Sequence, residues 1–364
     1  MQTSCERIAL NLRSLYGKFG YRQYKMSKFE EYDLYAKNKD FLVSDSVITF
    51  TDLGGKLMAL KPDVTLSIVK NSKELPGIQR LYYNENVYRV TKGAQGFREI
   101  QQMGLECLGS IDSYTLSEVL ELAGRSLAAV STEAVLDISH LGLLAELMDA
   151  IGIPRDQKDR LLKLIGEKNT HELTALCRDC GINPEDTELL RTLVTTVGPP
   201  AQVLPRLEAM LHHKVNAQTM AQFSEVLTAL ADSPIAELLR IDFSVVDDIH
   251  YYNGFVFKGF VQGLPGSVLS GGQYDKLMSK MKRSDKAIGF AVYMDMLDRL
   301  EADNDNYDVD VLLLYGESTP LAQLRSQISN LTAQGLRFSA QSCIPGDLRY
   351  KELLDLTKGE PTNA

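Results

Sequence analysis

The sequence predicts an α+β protein in which an antiparallel sheet is flanked by helices, with a helical insert and a small C-terminal α/β unit. Three observations support this prediction. Two long strand-like segments, 81–90 and 98–108, are joined by a polar loop that contains two glycines. Helical segments separated by Gly, Pro, Asn and Asp follow one another from residue 141 to about 239. From residue 307 onwards, strand and helix patterns alternate.

The composition is that of an ordinary globular protein, with 44% apolar and 24% charged residues in 364 positions. This length predicts two or three domains, which we place at 1–140 with 236–303 for the core, 141–235 for the helical insert and 304–364 for the α/β unit. A net charge of −9 offers no electrostatic footprint for nucleic acid and argues weakly against a tRNA partner. The sequence has no signal-peptide pattern and no membrane-spanning apolar run, so we expect a cytoplasmic protein without a membrane partner.

The five cysteines are odd in number and scattered, which is typical of a reducing compartment. Cys177 and Cys180 form a C-x-x-C pair, but no second Cys or His pair lies at the spacing of a zinc site. His171 lies six residues before Cys177 and fits such a site poorly. We therefore predict cysteines at a helix end, no metal site and no cofactor.

The remaining elements are justified by periodicity and by turn residues. The turn residues 52–55 predict a hairpin between short strands, and aromatic residues predict an extended segment at 21–35. The predicted helices are 5–19, 65–69, 113–130, 141–151, 156–167, 170–180, 184–196, 200–212 and 217–231. The other predicted strands are 47–50, 56–60, 133–138 and 241–246, with strands at 309–315 and 337–342 and helices at 320–334 and 349–357 after residue 307.

The strand at 98–108 carries the strongest functional signal. Its alternation places Ile100, Gln102, Gly104 and Glu106 on one face. Met103, Leu105 and Cys107 lie on the other. Arg89, at the end of the preceding strand, could reach the polar face. Buried Gln, Glu and Arg side chains are costly without partners, which favours a small-molecule site. The alternative is a sheet with one solvated face.

Two further stretches contain candidate ligand-binding residues. Asp63 and Thr65 follow Pro62 at the entrance of a helix, where the alternative role is that of an N-cap. Tyr251, Tyr252 and Tyr274 lie on adjoining strand and turn segments that could bring them into one pocket, although a single tyrosine is more often a core residue. The pair Gly271-Gly272 indicates a close approach of the backbone to a ligand or a neighbouring strand.

These motifs resemble a known family. Tyr88-Arg89, Phe97-Arg98-Glu99 and the segment QMGLE at 102–106 resemble the second signature of class II aminoacyl-tRNA synthetases of the histidyl type. The segments at 247–257, 271–275 and 287–292 resemble its two histidine-specific signatures and the third class II signature. The segment LKPDVT at 60–65 is more similar to the paralogous regulatory subunits of ATP phosphoribosyltransferase. The resemblance spans roughly residues 5–357, with the last unit similar to a shortened anticodon-binding domain.

The sequence departs from the synthetases where they activate ATP. The resemblance implies three arginines there, and Arg89 matches the first. The second position is Asp247, and the third is Met296, with Tyr293 in place of a glycine. Gln273 stands where the motif also has an arginine. Since the loss of one such donor lowers a rate by about 10²–10³-fold, we expect a catalytically silent protein with no catalytic residues of its own.

The amino-acid side of the site is better preserved, and the resemblance implies histidine binding by Asp63, Thr65, Arg89, Gln102, Glu106, Tyr251, Tyr252 and Tyr274. In this interpretation Asp63 and Thr65 hold the α-ammonium group, Gln102 orients the ligand, and Glu106 faces the imidazole between the tyrosines. The resemblance also implies a regulatory role with L-histidine as effector. A homodimer would join short-form ATP phosphoribosyltransferase catalytic subunits into a hetero-octamer, activate them and convey feedback inhibition. The alternatives are an active histidyl-tRNA synthetase, a tRNA-binding adaptor and a scaffold without a ligand.

Overall fold

Two antiparallel strands of 13 residues each, Ile78–Val90 and Phe97–Gly109, lie side by side in a nine-stranded sheet. The structure is a computed structural model that describes residues 4–42, 46–90, 96–246, 251–301 and 307–357. The chain forms two compact units, Met1–Asp298 and Arg299–Ala364. The predicted strands at 81–90 and 98–108 are therefore confirmed and extend further at their outer ends.

The N-terminal part of the chain builds a small sheet and a helix that leads into the long strands. In chain order its elements are α1 (Ser4–Lys18), β1 (Arg22–Gln23), β2 (Phe29–Glu31), α2 (Tyr32–Lys37), β3 (Thr49–Thr51), β4 (Leu57–Leu60), α3 (Thr65–Asn71), β5 (Ile78–Val90) and β6 (Phe97–Gly109). The predicted hairpin is confirmed, because β3 pairs with β4 and Asp52 accepts hydrogen bonds from Gly54 N and Lys56 N. The prediction of an extended segment to residue 35 is wrong. From Tyr32 the chain is helical, which buries Tyr35 completely.

The rest of the larger unit completes the nine-stranded sheet. Its elements are α4 (Ser113–Val130), β7 (Ala134–His140), α5 (Leu141–Ala150), α6 (Lys158–Gly166), α7 (Thr170–Asp179), α8 (Pro184–Thr195), β8 (Val197–Gly198), α9 (Pro200–Leu211), α10 (Ala217–Ala229), β9 (Leu239–Asp242), β10 (Phe255–Val261), β11 (Ser267–Gln273), α11 (Asp275–Lys280), β12 (Lys286–Tyr293) and α12 (Met294–Glu301). The strand order is β1-β5-β6-β12-β11-β10-β7-β9-β8, antiparallel except for the β1–β5 and β7–β9 pairs. The α+β class predicted from the sequence is confirmed.

Two helices cover one face of this sheet. The helix α1 packs on β5 and on α4, and α4 packs on β7, β10 and β12. Tyr16 of α1 is fully buried, and its hydroxyl shares a hydrogen bond of 2.9 Å with Ser126 of α4. Behind β6, the hydroxyl of Tyr21 contacts Cys107 Sγ at 3.0 Å and donates to Glu118 Oε1 at 3.1 Å. From residue 102 onwards, both faces of β6 are therefore buried.

The six helices α5–α10 confirm the predicted helical insert to within three residues at each boundary. Two features of this region were not predicted correctly. The short strand β8 interrupts the helices and pairs with β9 through Gly198↔Ile241, so that the insert forms one edge of the large sheet. The strand predicted at 241–246 is instead Leu239–Asp242, because Asp242 Oδ1 accepts Ser244 N and turns the chain. In the described parts of the chain, no helix is both long and apolar enough to cross a membrane.

A buried histidine joins the insert to the sheet. His140 is the last residue of β7, and its Nδ1 accepts a hydrogen bond of 3.1 Å from Leu143 N at the beginning of α5. The ring lies between Phe223 and Phe255, with centroid distances of 5.6 Å and 5.0 Å. Burial disfavours the imidazolium and lowers the pKa of His140 to about 4.

This lowered pKa predicts a loss of stability in mild acid. Because the folded-state pKa lies below the unfolded value of about 6.5, the contribution is complete above pH 6.5 and is lost as the pH falls toward 4. We expect His140 to lower the free energy of unfolding by about 2 kcal/mol between pH 7.5 and pH 5. Urea denaturation of the protein and of a His140→Asn variant, which keeps a capping side chain, isolates this term. An equal pH dependence of the two proteins would contradict it.

The smaller unit consists of β13 (Val309–Leu314), α13 (Leu321–Ala333), β14 (Phe338–Gln341) and β15 (Tyr350–Asp355). The predicted strands at 309–315 and 337–342 and the helix at 320–334 are confirmed, but the helix predicted at 349–357 is wrong. That segment is the strand β15, which pairs in parallel with β13. Lys, Glu and Leu favour a helix here, but Leu354 and Leu356, two residues apart, pack on the apolar core of this unit.

Ion pairs hold the strands of this small sheet together. Asp310 accepts hydrogen bonds from Arg337 N and Nε at 3.0 Å each, and from Lys351 Nζ at 2.7 Å. Asp308 accepts from Arg349 N at 2.8 Å and Arg349 Nη2 at 3.0 Å. The bonds from Arg337 and Lys351 hold the pKa of Asp310 below its usual range. Asp308 and Asp310, at the beginning of β13, thus bind the residues that directly precede β14 and β15.

The contacts of Asp310 lead to a prediction about local stability. We expect Asp310→Asn to weaken the contacts to Arg337 and Lys351 and to raise the rate of amide hydrogen exchange in β14 and β15. The exposed Asp347, in the loop before β15, provides a matched control as Asp347→Asn. Exchange rates in β14 and β15 that respond equally to both substitutions would show that the Asp310 contacts are not stabilising.

Candidate functional site

A cavity of about 220 Å³ lies on the face of the large sheet opposite α1. All eight residues that the sequence analysis proposed for a site line it, namely Asp63, Thr65, Arg89, Gln102, Glu106, Tyr251, Tyr252 and Tyr274. Tyr83, Ser270, Gly289 and Tyr293 line it as well, and the sequence analysis did not assign them to the site. The proposed residues come from four separate regions of the chain, so the fold brings them together.

The pairing register of β5 and β6 explains why Arg89 shares this cavity. Residues directly opposite one another in an antiparallel pair project to the same face. The observed pairs include Arg89↔Arg98, Tyr83↔Gly104 and Leu81↔Glu106. Arg89 and Tyr83 therefore lie on the face of Gln102 and Glu106, the polar face that Arg89 was expected to reach from the end of its strand.

Asp63 and Thr65 enter the cavity from the beginning of α3. Asp63 Oδ1 accepts a hydrogen bond of 2.8 Å from Leu66 N in the first turn of this helix. The capping role considered for Asp63 and its position in the cavity are thus compatible. Thr65, which is 8% exposed, donates its hydroxyl proton to Glu106 Oε1 at 2.7 Å. The turn before α3 therefore presents one carboxylate and one hydroxyl to the same space.

Glu106 is the buried centre of the site. It is 2% exposed, and its second oxygen, Oε2, accepts a hydrogen bond of 2.5 Å from the Tyr274 hydroxyl. No ion pair joins it to a Lys, Arg or His among the residues that the structure describes. Burial raises the pKa of Glu106 to about 8, although the hydrogen bonds from Tyr274 and Thr65 oppose this shift.

Two glycines make room for this arrangement. A Cβ atom at Gly289, which pairs with Glu106 across β12 and β6, would lie 1.8 Å from Glu106 Oε2. A Cβ atom at Gly104 would lie 2.0 Å from the backbone oxygen of Phe290 and 2.7 Å from the Tyr83 hydroxyl. The carboxyl of Glu106 and the phenol of Tyr83 therefore lie directly over bare backbone.

Tyrosines form the walls around Glu106. The rings of Tyr251 and Tyr274 have centroids 5.7 Å apart, and those of Tyr251 and Tyr252 lie 4.8 Å apart. Burial raises the pKa of Tyr83, Tyr251 and Tyr274 well above the usual value, so their hydroxyls stay protonated at neutral pH. The tyrosine walls thus provide flat apolar surfaces and neutral hydrogen-bonding groups.

Arg89 supplies the positive charge of the cavity. Its side chain is buried, with 6% exposure, and its Nε has no hydrogen-bond partner among the described residues. Nearby on β5, Glu85 is paired with the buried Lys61 at 2.5 Å instead. A buried guanidinium with an unused donor is a strong binding group for a carboxylate or phosphate. The cavity therefore combines an acidic end at Asp63 and Glu106 with a basic group at Arg89.

The positions at which the sequence departs from the synthetase motifs have other roles or lie outside the described residues. Gln273 Oε1 accepts a hydrogen bond of 2.8 Å from Phe255 N, so that this side chain links β11 to β10. Tyr293 lines the cavity, and its hydroxyl shares a hydrogen bond of 2.7 Å with Ser270. Met296 lies in α12, and Asp247 is outside the described residues. No cluster of metal-binding side chains occurs in the portion of the chain that is described.

Solved structures define the class of protein to which this fold belongs. A Bacillus halodurans structure, described as an ATP phosphoribosyltransferase regulatory subunit/histidyl-tRNA synthetase, matches with a TM-score of 0.74 and 23% identity over 98% of this chain and 94% of that one. A chain of an ATP phosphoribosyltransferase (HisG:HisZ) complex from Thermotoga maritima matches with a TM-score of 0.62 and 19% identity, covering 79% and 96%. The fold is that of the class II, histidyl-tRNA synthetase-like proteins.

Comparison of sequences identifies the family to which the chain belongs. The model of the family described as histidyl-tRNA synthetase matches residues 2–297, so the chain belongs to this family. A relative from Oceanobacillus iheyensis, an ATP phosphoribosyltransferase regulatory subunit, is 26% identical over 294 residues, which cover 80% of this chain and 72% of the relative. The family resemblance found in the signature residues is thereby confirmed.

The contact between Gly289 and Glu106 gives a prediction for the site. Gly289→Ala would place a methyl group against Glu106 Oε2 and force the carboxyl away from Tyr274. We expect a loss of about 1–3 kcal/mol in the free energy of unfolding, measured by urea denaturation. Gly17→Ala in α1 is the matched control, because nothing lies within 4 Å of its added Cβ and alanine favours a helix. A Gly289→Ala protein as stable as the Gly17→Ala protein would be inconsistent with this geometry.

Proposed function

We propose that this chain is the regulatory subunit of ATP phosphoribosyltransferase in histidine biosynthesis, and that it binds L-histidine in the cavity around Glu106. The relative from Oceanobacillus iheyensis and further relatives of 23–29% identity are named as such regulatory subunits. In this role the chain activates a short-form catalytic subunit and conveys feedback inhibition when histidine is bound. It acts in the cytoplasm, as a homodimer within a hetero-octamer.

The observation that carries this proposal is the combination of Arg89 and Glu106 in one buried cavity. A free amino acid has a carboxylate, an ammonium group and a side chain, and the cavity offers a partner for each. Arg89, with its unused Nε, suits the carboxylate. Asp63 and the Thr65 hydroxyl suit the ammonium group, and Gln102 lies between these ends on β6. Glu106, enclosed by Tyr251 and Tyr274, suits a ring that carries N–H donors, as imidazole does.

The same cavity is poorly suited to ATP chemistry. Adenylate formation requires positive charge around the α-phosphate, and the lining residues that the structure describes include a single arginine. Tyr293 and Ser270 line the cavity with hydroxyls that share a hydrogen bond. We therefore propose that the chain has no synthetase activity and serves its partner by sensing histidine. Coupling between the histidine site and the catalytic subunits requires that histidine bind one state of the complex more tightly than the other.

Calorimetric titration with L-histidine tests the binding step. We expect saturable binding of L-histidine by the protein, no binding of ATP, and weaker binding of histidinol, which lacks the carboxylate. Arg89→Gln removes the proposed carboxylate partner and should weaken histidine binding by at least about 30-fold. Arg178→Gln, which changes an exposed side chain of α7, is the matched control, and this variant should bind histidine as tightly as the unchanged protein does. Equal affinities of the Arg89 and Arg178 variants would count against this orientation of the ligand.

Reconstitution with a short-form catalytic subunit tests the regulatory step. We expect phosphoribosyl transfer to depend on addition of this chain, and L-histidine to inhibit the complex. In complexes that contain the Arg89→Gln chain, inhibition should require at least about 30-fold more histidine, in proportion to the weaker binding. Histidine-dependent exchange of pyrophosphate into ATP by the isolated chain would instead identify an active synthetase.

A further inference from the structure

We infer that the site holds histidine by an internal proton transfer: Glu106 is neutral in the ligand-free protein and gives its proton to the imidazole ring of the incoming ligand. This inference rests on the proposed function, because it concerns the same cavity and the same ligand. It adds a chemical criterion for recognition, since a ligand must carry a side chain that can accept a proton near neutral pH.

The surroundings of Glu106 disfavour a carboxylate in the absence of a ligand. The group is almost fully buried, and its oxygens contact two neutral hydroxyls, those of Thr65 and Tyr274. An isolated ionised carboxylate in such surroundings is costly, and a group of this kind takes up a proton instead. Both hydroxyls can rotate, so one of them can accept the carboxyl proton while the other continues to donate.

Among the residues that the structure describes, the other groups that face Glu106 do not supply a compensating charge. Tyr83 from β5, Tyr251 before β10 and Tyr274 after β11 are neutral phenols, and β12 places the backbone of Gly289 directly beside the carboxyl. Asp63, before α3, is a second carboxyl and raises the pKa of Glu106 further. Arg89 lines the same cavity but forms no ion pair with Glu106. Together these surroundings leave the pKa of Glu106 at about 8.

Imidazole changes this balance. Its unperturbed pKa of about 6.5 makes it the side-chain base best suited to accept a proton near neutral pH. On binding, the O–H bond of Glu106 breaks and an N–H bond forms on the ring, so that the proton stays within the site. The resulting carboxylate and imidazolium face each other at a position where Glu106 is almost fully buried, and their attraction stabilises both charges. The Thr65 and Tyr274 hydroxyls can then both donate to the carboxylate.

This mechanism fixes the number of protons exchanged with the solvent. Between about pH 6.5 and 8, free histidine is neutral at its ring and Glu106 carries the proton, so binding exchanges none. Below about pH 6.5 both partners are protonated, and binding releases one proton. Above pH 8 neither is, and this pair takes up one proton on binding, to which the α-amino group of the ligand adds a further fraction as it loses its own proton in solution. The affinity should therefore be highest between about pH 6.5 and 8 and fall about tenfold per pH unit on either side.

Calorimetric titration of the whole protein with L-histidine, in pairs of buffers that differ in ionisation enthalpy, measures this number. We expect no net proton exchange at pH 7.4, release approaching one proton at pH 5.5 and uptake of a large part of one at pH 8.5. Tyr274→Phe removes a hydrogen bond to Glu106 but keeps the Glu106 carboxyl. This variant should bind histidine more weakly, and its binding should still take up no proton at pH 7.4. Triazolylalanine, whose ring has the shape of imidazole but stays neutral, should bind at least tenfold more weakly than histidine at pH 7.4.

Infrared difference spectroscopy follows Glu106 directly. Addition of histidine at pH 7.4 should remove a carboxylic-acid band and produce a carboxylate band, and Glu106→Gln should abolish both changes. Uptake of one proton at pH 7.4, without loss of a carboxylic-acid band, would show that Glu106 is already ionised and would overturn this inference while leaving histidine binding intact. A folded protein that does not bind histidine at all would overturn the proposed function, and this inference with it.

Discussion

A buried carboxyl group that forms no ion pair with any described residue is the constraint around which this site is organised. Glu106 lies on β6, with a helix-covered face behind it and the cavity in front. It fits there because Gly289 on the neighbouring strand has no side chain, and because Thr65 and Tyr274 each bring a hydroxyl to one of its oxygens. Because a buried polar group needs hydrogen-bond partners, the Glu106 carboxyl holds Thr65 and Tyr274 in position although they are far apart in the chain.

Polar side chains lie on both faces of β6, but their charges are matched on one face only. In front are Gln102 and Glu106, and behind is Cys107, whose thiol contacts the buried hydroxyl of Tyr21. Tyr21 also donates to Glu118, which in turn pairs with Arg80 at 2.9 Å. The network behind the strand is closed, with the carboxylate matched to a guanidinium. In front, no charged partner of Glu106 occurs in the described parts of the chain, and Arg89 has an unused donor, which is the arrangement of a site that awaits a ligand.

Much of this arrangement could be predicted from the sequence, because alternation along β6 fixes which side chains share a face. The helices of the insert could also be predicted, since Asn169, Asn183 and Asn216 cap three of them with their side chains. Tyr83 was missed because a tyrosine in a strand resembles a core residue; the signal was Gly104, which lies opposite it. The strand β15 was missed because it depends on pairing with β13 and on ion pairs to Asp308 and Asp310, which local helix propensity does not reveal.

The two-residue strand β8 has a consequence for the modularity of the protein. Because Val197 and Gly198 pair with β9, the helical insert covers backbone groups that would otherwise form an open edge of the large sheet. A shortened protein in which a simple linker replaced residues 141–235 would expose the edge of β9, whose Leu239 and Ile241 are buried. Such an edge invites pairing between molecules and aggregation. The insert is therefore better regarded as a permanent part of the sheet than as a removable accessory.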